Sequence, residues 1–307
     1  MNELILIGGL AERHRDRVRD FCVRSNRPIY AEPLSGLRED QQLDGLLVRN
    51  ERMLSRGGFD SVIRIGNVPT LRFWRDLDGS DVRVTHYSDL PFPGLTRGDV
   101  RPIEKLTVRP AEAGPYTDFF DCDGKKAAEL QRILDDEPQS ELAMMRALSN
   151  QIPRGGRIYL GNSLPIREWD LAATREQRAF TIEANRGANG IDGQLSAFFG
   201  WCRGANNWCI VGDLTAMYDM NAPWIVPQLE RDVRFQIVVI NNGGGRIFER
   251  VASLQRLEAS IRERLVENAH EIRFGSWAKM WGIHMTELFP DPAASRRAWE
   301  KYDQLWA

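Results

Sequence analysis

The sequence predicts an α/β protein made of two doubly wound parallel-sheet domains. Short apolar runs alternate with charged, amphipathic stretches, which is the rhythm of strands alternating with helices in a parallel sheet. This rhythm stops once, in the proline- and glycine-rich stretch 88–124, and then restarts. The length of 307 residues suits about two domains.

The elements of the first half follow one another closely. A turn at Gly8-Gly9 separates the first apolar run from a charged helix whose apolar residues lie on one side. The predicted elements are a strand at 4–7, a helix at 12–22, and strands at 28–31, 61–65 and 82–87.

The second half repeats the pattern. A helix is predicted at 140–152, followed by strands at 157–160, 179–184, 208–211 and 235–240. No closing strand is evident after the helix that includes 274–279. We therefore place a Rossmann-like domain at 1–115, a linker at 116–135 and a second domain at 136–307.

Composition excludes several classes of protein. With 42% hydrophobic and 27% charged residues, the chain is neither disordered nor collagen-like. The 41 Lys and Arg nearly balance the 43 Asp and Glu. The chain therefore has no overall positive charge that would favour binding to nucleic acid. The four cysteines form no CxxC pair, and no apolar stretch approaches the ~20 residues that span a bilayer. We expect a cytoplasmic protein that binds no nucleic acid and does not insert into a membrane.

The Gly8-Gly9 pair is typical of a turn between a strand and a helix. Residues 8–13 lack the complete G-x-G-x-x-G pattern of dinucleotide-binding folds. We therefore interpret the pair as a structural turn.

Two loops in the second half carry the residue types of a metal–phosphate site. Gly212-Asp213-Leu214-Thr215 follows one predicted strand, and Asn241-Asn242-Gly243-Gly244-Gly245 follows another. Carboxylate and amide oxygens suit Mg²⁺, and glycines let backbone N–H groups approach phosphates. Taken separately, each loop also fits an ordinary turn, with Asp213 capping the next helix.

Together, the two loops resemble the metal-binding signature of thiamin-diphosphate enzymes. Three further features make the resemblance more specific. They are GNSL at 161–164, NRGANGIDG at 185–193, and the residues that follow the two loops, as far as 221 and 248. In this order they resemble the 2-succinyl-5-enolpyruvyl-6-hydroxy-3-cyclohexene-1-carboxylate synthases of menaquinone biosynthesis. AEPLSG at 31–36 and RIGNVP at 64–69 resemble the middle domain of that family.

The resemblance implies that part of the family's active site lies outside this sequence. The family has an aminopyrimidine-binding domain, a middle domain and a diphosphate-binding domain, and the chain matches the last two. The first domain carries the glutamate that activates the cofactor, so no catalytic residue is assignable here. We expect the chain to be inactive alone and to need a separate pyrimidine-domain polypeptide or self-association.

The resemblance also implies a cofactor and a metal. The cofactor is thiamin diphosphate with Mg²⁺ or Mn²⁺. The implied metal ligands are Asp213, the Asn242 side chain and the Gly244 carbonyl. The implied cofactor-binding residues are Asn189, Ile191, Gly212, Asp213, Leu214, Thr215, Asn242 and Gly244.

The family's substrates are two carboxylates, 2-oxoglutarate and isochorismate, which the enzyme joins with loss of CO₂. Arginine binds carboxylates with two parallel hydrogen bonds. Two positions depart from the family, Phe73 in place of a basic residue and Arg246 in place of a glutamine. The implied substrate-binding residues are Arg72, Ser163, Arg167, Arg186, Ile247 and Phe248.

Two other interpretations remain open at the level of sequence. The chain could be an inactive remnant that holds a cofactor or serves in assembly, or a subunit of a split 2-oxoacid decarboxylase. The intact metal motif favours an enzyme over a remnant. The motifs at 185–193 and 212–221 favour the synthase over a decarboxylase.

Overall fold

A computed structural model describes residues 2–108, 116–186, 190–251 and 253–307. The chain forms two compact units. The N-terminal unit comprises Met1–Ile133, Arg175–Ala179 and Lys301–Ala307, and the C-terminal unit comprises Leu134–Thr174 and Phe180–Glu300. The predicted division at 115 and 136 stays a prediction.

The N-terminal unit is built on a parallel five-stranded sheet in the order β2-β1-β3-β4-β5. In its register, Ile5 lies opposite Ile29 on one side and Ile63 on the other. The strands are β1 (Glu3–Ile7), β2 (Ile29–Ala31), β3 (Ser61–Ile65), β4 (Arg83–Tyr87) and β5 (Val100–Arg101).

The central strand β1 is buried on both faces. Ile5 and Ile7 belong to one hydrophobic cluster, whereas Leu4 and Leu6 belong to another. Since successive side chains of a strand point to opposite faces, the sheet has a core on each side. This confirms the doubly wound fold predicted for this part of the chain.

The Gly8-Gly9 turn is packed against the loop after β3. A Cβ on Gly8 would lie 2.2 Å from the Asn67 carbonyl oxygen, and the Asn67 amide donates to the Gly9 carbonyl at 2.7 Å. Backbone therefore fills the sheet edge between β1 and β3, where doubly wound folds often bind ligands. The contacts agree with a structural role for these glycines.

The C-terminal unit has a second parallel sheet, in the order β10-β9-β8-β6-β7. The expectation that no closing strand follows residue 279 was wrong, because β10 pairs with β9 at the edge of this sheet. The strands are β6 (Arg157–Leu160), β7 (Thr181–Glu183), β8 (Asn207–Gly212), β9 (Phe235–Ile240) and β10 (Met285–Leu288).

Helices connect the strands of both units. The first predicted helix begins as a 3₁₀ turn, Glu12–His14, before its α-helical part, and the segment 116–135 that was predicted as a linker is mostly helical. Within the described residues, no helix combines the length and the apolar character needed to cross a membrane. The α-helices are α1 (Arg15–Ser25), α2 (Glu51–Leu54), α3 (Arg72–Asp76), α4 (Thr117–Asp136), α5 (Glu141–Gln151), α6 (Leu164–Ala172), α7 (Gln194–Trp201), α8 (Asp213–Tyr218), α9 (Ala259–Ile261), α10 (Gly275–Trp281) and α11 (Pro292–Gln304).

Strand order in the C-terminal unit places a crevice between β6 and β8. The chain leaves β6 for β7 on one side and then returns to β8 on the other. Doubly wound sheets bind ligands at such a reversal, beyond the carboxyl ends of the strands. The loops that begin at Gly161 and Asn241, and helix α8, which follows Gly212 directly, all leave the sheet at this edge.

Candidate functional site

A cavity opens at this edge of the C-terminal sheet, where the space between the atoms, open solvent included, is about 480 Å³. The loops after β6, β7 and β9 and the start of α8 form its wall, with Glu141 from α5. The sequence-predicted residues that line it are Ser163, Ile191, Gly212, Asp213, Leu214, Thr215, Asn242, Gly244, Ile247 and Phe248.

The Asp213 carboxylate joins the two predicted metal-site loops. One oxygen, Oδ1, accepts from the Leu214 amide at 2.6 Å. The other, Oδ2, accepts from the amides of Gly243 at 2.8 Å and Gly244 at 3.0 Å. Burial raises the pKa of Asp213, while these N–H donors oppose the rise. A carboxylate offers about four lone-pair positions, so Oδ1 can still bind a cation.

The glycine loop has a conformation that only glycine adopts easily. Gly243 has φ +81° and Gly244 has φ +137°. A Cβ on Gly244 would lie 2.7 Å from the Glu267 carbonyl oxygen, which also accepts from the Gly245 amide at 2.6 Å. The loop is therefore held between the Asp213 carboxylate and the segment around Glu267.

Asn242 supplies an oxygen that lacks a protein donor. Its Nδ2 donates to Glu141 Oε2 at 2.9 Å, whereas its buried Oδ1 has no hydrogen-bond partner among the described residues. A buried polar atom without a partner is costly, so this oxygen is available to accept a bond from a ligand or a water, or to coordinate a cation. The Gly244 carbonyl accepts one bond, from the Arg246 amide at 2.9 Å, and keeps a second lone pair. These oxygens, with Asp213, fit Mg²⁺ or Mn²⁺.

Two buried carboxyl groups were missed by the sequence reasoning: Glu141, which contacts Asn242, and its neighbour Glu168. Glu141 is 4% exposed and Glu168 is fully buried. Burial raises the pKa of Glu141 to about 7. Burial, together with the neighbouring Glu141 charge, raises the pKa of Glu168 well above its ordinary value. The pair could not be predicted from sequence, because a glutamate such as Glu141 in the first turn of a helix is ordinary and Glu168 lies far from it along the chain, inside α6.

His270 is a second residue that sequence reasoning missed. Its Nε2 lies 3.4 Å from Asp213 Oδ2, and its side chain is 9% exposed. Its backbone amide donates to the Gly243 carbonyl at 3.2 Å, so the segment around His270 packs against the glycine loop. An imidazole at this distance adds positive charge beside Asp213 when it is protonated.

The predicted substrate residues after β6 and β7 are partly brought together. Ser163 lines the cavity with φ +73°, a conformation that costs about 1–3 kcal/mol in a non-glycine residue. Arg186 donates to the Asn162 side chain, next to Ser163. Arg167 is exposed and donates to the Ser163 carbonyl at 2.5 Å. The two arginines therefore lie beside the cavity loop after β6, although neither side chain lines the cavity.

The remaining predicted residues lie elsewhere. Arg72 belongs to the N-terminal unit, where its exposed guanidinium lies 3.6 Å from the Asp76 carboxylate. The neighbouring Phe73 packs against a core cluster of that unit. Asn189 lies outside the described residues. The substrate role of Arg72 and the cofactor role of Asn189 stay predictions.

The cavity is lined by both polar and apolar side chains. Asp213 and Asn242 contribute a carboxylate and an amide to its lining, and the half-buried Ile191, Ile247 and Phe248 line it as well. Arg246 is held within the loop, since it donates to the Asn242 carbonyl at 3.1 Å and to Glu249 at 2.6 Å. Chemically, the arrangement suits a divalent cation, a phosphate-bearing ligand and an apolar organic group.

Comparison with known proteins identifies related synthases and shows how much of each chain is similar. No family model matches the chain. The chain is 36% identical to a 2-succinyl-5-enolpyruvyl-6-hydroxy-3-cyclohexene-1-carboxylate synthase of Bdellovibrio bacteriovorus, over 99% of the chain and 62% of that protein. It is 35% identical to the synthase of the same name from Akkermansia muciniphila, over 98% of the chain and 56% of that protein. The match to the Bacillus velezensis synthase is 30% over 72% of the chain and 42% of that protein.

The similarity extends over both units of the chain, since the first two matches include nearly all of its residues. The chain spans 62% and 56% of the lengths of these two curated relatives. It therefore belongs to the 2-succinyl-5-enolpyruvyl-6-hydroxy-3-cyclohexene-1-carboxylate synthase family.

Proposed function

We propose that the chain provides the middle and diphosphate-binding domains of a thiamin-diphosphate-dependent synthase that joins decarboxylated 2-oxoglutarate to isochorismate in menaquinone biosynthesis. The observation that supports this most strongly is the buried, unpartnered Asn242 Oδ1 in the same cavity as the Asp213 carboxylate. The names of the relatives support the substrates.

In the proposed site, different segments of the chain bind the metal, the diphosphate and the organic part of the cofactor. Asp213, the Asn242 side chain and the Gly244 carbonyl would hold Mg²⁺ or Mn²⁺ against the diphosphate. Leu214 and Thr215 would lie beside the diphosphate, and Ile191 would contact the organic part of the cofactor. Bound thiamin diphosphate supplies the electron sink for loss of CO₂ and for carbon–carbon bond formation.

The chain's own residues would orient the substrates. The guanidinium groups of Arg186 and Arg167 lie near Ser163, so they can pair with substrate carboxylates after modest side-chain rotation. Ile247 and Phe248 would exclude water from the reacting carbon atoms. We also propose a substrate-binding role for Arg72, as the resemblance implies.

The proposal includes a partner, because the chain spans only part of its relatives. A pyrimidine-domain polypeptide, or another copy of this chain in a homo-oligomer, would cover the cavity beside Ile191, Ile247 and Phe248. The chain alone would then bind cofactor weakly and turn over no substrate. We place the assembled enzyme in the cytoplasm.

Titration calorimetry tests the cofactor assignment. Thiamin diphosphate is titrated into the full chain with Mg²⁺ or with EDTA, and into Asp213→Ala under the same conditions. We expect Mg²⁺-dependent binding by the wild type and none by Asp213→Ala. Asp232→Ala, in the turn before β9, serves as a control that keeps binding. Equal binding by wild type and Asp213→Ala would refute the metal assignment.

A further inference from the structure

The backbone of Glu141 is fixed from both sides of its position at the start of α5. Ser140 precedes it, and its Oγ accepts from the Ala143 amide at 3.2 Å, which caps the helix. The Glu141 amide donates to Ser295 Oγ at 3.0 Å, which ties it to α11. With its side chain at 4% exposure, Glu141 presents its carboxylate to the cavity from a rigid support.

This carboxylate determines which way the Asn242 amide faces. Glu141 Oε2 accepts from Asn242 Nδ2 at 2.9 Å. The NH₂ group of Asn242 is the donor in this bond, so it faces Glu141. The carbonyl oxygen Oδ1 then points the other way.

We infer that Glu141 is a positioning residue for the metal site: by holding the NH₂ group of Asn242, it keeps Oδ1 directed at a divalent cation. The inference rests on the proposed function, in which Asn242 is a metal ligand. Groups that hydrogen-bond to metal ligands are known to control ligand orientation and metal affinity. Glu141 touches no substrate or cofactor in this scheme and acts only through Asn242.

Apparent Mn²⁺ affinity tests the inference without relying on activity. MnCl₂ is titrated calorimetrically into the full chain with thiamin diphosphate in fixed excess, and a titration into thiamin diphosphate alone is subtracted. Two variants of similar shape are compared. Glu141→Gln keeps an oxygen that can accept from Asn242, whereas Glu141→Met does not.

Glu137→Met is the matched control. Glu137 is also a buried glutamate of the C-terminal unit, and its carboxylate pairs with Arg297 at 2.8 Å. Its removal tests whether loss of any buried carboxylate weakens the metal site through reduced stability. The thermal midpoint of every variant is measured alongside its Mn²⁺ affinity.

We expect Glu141→Met to weaken Mn²⁺ binding about 10–100-fold, as is usual when a partner of a metal ligand is removed. Glu141→Gln should bind close to the wild type, and Glu137→Met should lower the thermal midpoint only. In an Asn242→Ala background, Glu141→Met should have no further effect on Mn²⁺ affinity, because its action passes through Asn242.

Three results would overturn the inference: wild-type affinity in Glu141→Met, equal loss in Glu141→Gln and Glu141→Met, or equal loss in Glu137→Met. Failure of the proposed function has a different signature. In that case, the wild type itself would bind Mn²⁺ no better than Asp213→Ala.

Discussion

The Asp213 carboxylate accepts a hydrogen bond from the Gly244 amide at 3.0 Å, across 31 residues of sequence. This contact joins the loop after β8 to the loop after β9. It places the carboxylate beside Asn242, the neighbour of the two glycines whose amides it binds. Backbone amides therefore shape the proposed cation site as much as its predicted ligands do.

A side chain at Gly244 should break this arrangement. Gly244→Ala places a Cβ 2.7 Å from the Glu267 carbonyl and strains a backbone with φ +137°. We expect a loss of about 1–3 kcal/mol in the free energy of unfolding and loss of Mg²⁺-dependent cofactor binding. Urea denaturation and calorimetry measure the two effects.

Gly200→Ala is the matched control in the same unit. Gly200 lies inside α7, and a Cβ there would meet no atom within 4 Å. Alanine in a helix is favoured over glycine by roughly 0.5–1 kcal/mol, so this variant should be slightly more stable than the wild type. If Gly244→Ala behaves like Gly200→Ala, the description of the glycine loop is wrong.

In the N-terminal unit, Asp123 should be required for stability. Its buried carboxylate accepts from the amides of Arg49 at 2.7 Å and Asn50 at 3.1 Å, and from Asn50 Nδ2 at 2.8 Å. Asp123→Ala leaves these donors unsatisfied, at a cost of about 2–4 kcal/mol in the free energy of unfolding. Asp121→Ala, an exposed position on the same helix, should change stability little. Similar urea midpoints for both variants would contradict the prediction.

His86 should make the N-terminal unit sensitive to acid. Burial, and then the Arg64 charge, lower the pKa of His86 to about 4. In the unfolded chain, histidine takes up its proton near pH 6.5, so between pH 6.5 and 4 the unfolded state binds the extra proton. The contribution of His86 to the free energy of unfolding is therefore fully present above pH 6.5, and it is lost as the pH drops toward 4.

The variant His86→Phe cannot take up this proton. Its free energy of unfolding should therefore fall less on acidification than that of the wild type. The urea midpoint of each protein is measured from pH 7 to pH 4.5, and the difference between variant and wild type is followed. His284→Phe, at an exposed position, is the control and should follow the wild type. A constant difference between His86→Phe and the wild type would show that His86 does not contribute to the pH dependence.

Activity should appear only when the missing part of the site is supplied. The purified chain should release no CO₂ from 2-oxoglutarate. Adding a folded pyrimidine domain taken from a related synthase should restore Mg²⁺-dependent CO₂ release and consumption of isochorismate. The Asp213→Ala chain should remain inactive in the same mixture. Turnover by the wild-type chain alone would contradict the proposed need for a partner.

Much of the fold could be predicted because both faces of the central strands are buried. Such strands contain continuous apolar runs, as in 4–7 and 237–240, which are evident in sequence. The edge strand β10 was missed because it has one neighbouring strand and is only partly buried. Its Glu287 is polar for a structural reason, since it accepts from Asn241 Nδ2 at 2.7 Å.

The site could be predicted only where its residues follow strands in recognisable order. Asp213 and Asn242 were found because each follows a predicted strand in a loop with a known pattern. Glu141 was not, since it lies 101 residues before Asn242 on the first turn of a helix. Contacts between distant elements depend on packing, which residue spacing does not encode.

The central claim is that Asp213 and Asn242 hold a divalent cation beside thiamin diphosphate. Crystals of the full chain grown with Mn²⁺ and thiamin diphosphate would test it most directly, by anomalous diffraction at the manganese edge. We predict one strong anomalous peak at coordination distance from the Asp213 carboxylate and Asn242 Oδ1, next to density for the diphosphate. Cofactor density without a peak at these oxygens, or a peak at other residues, would contradict the account.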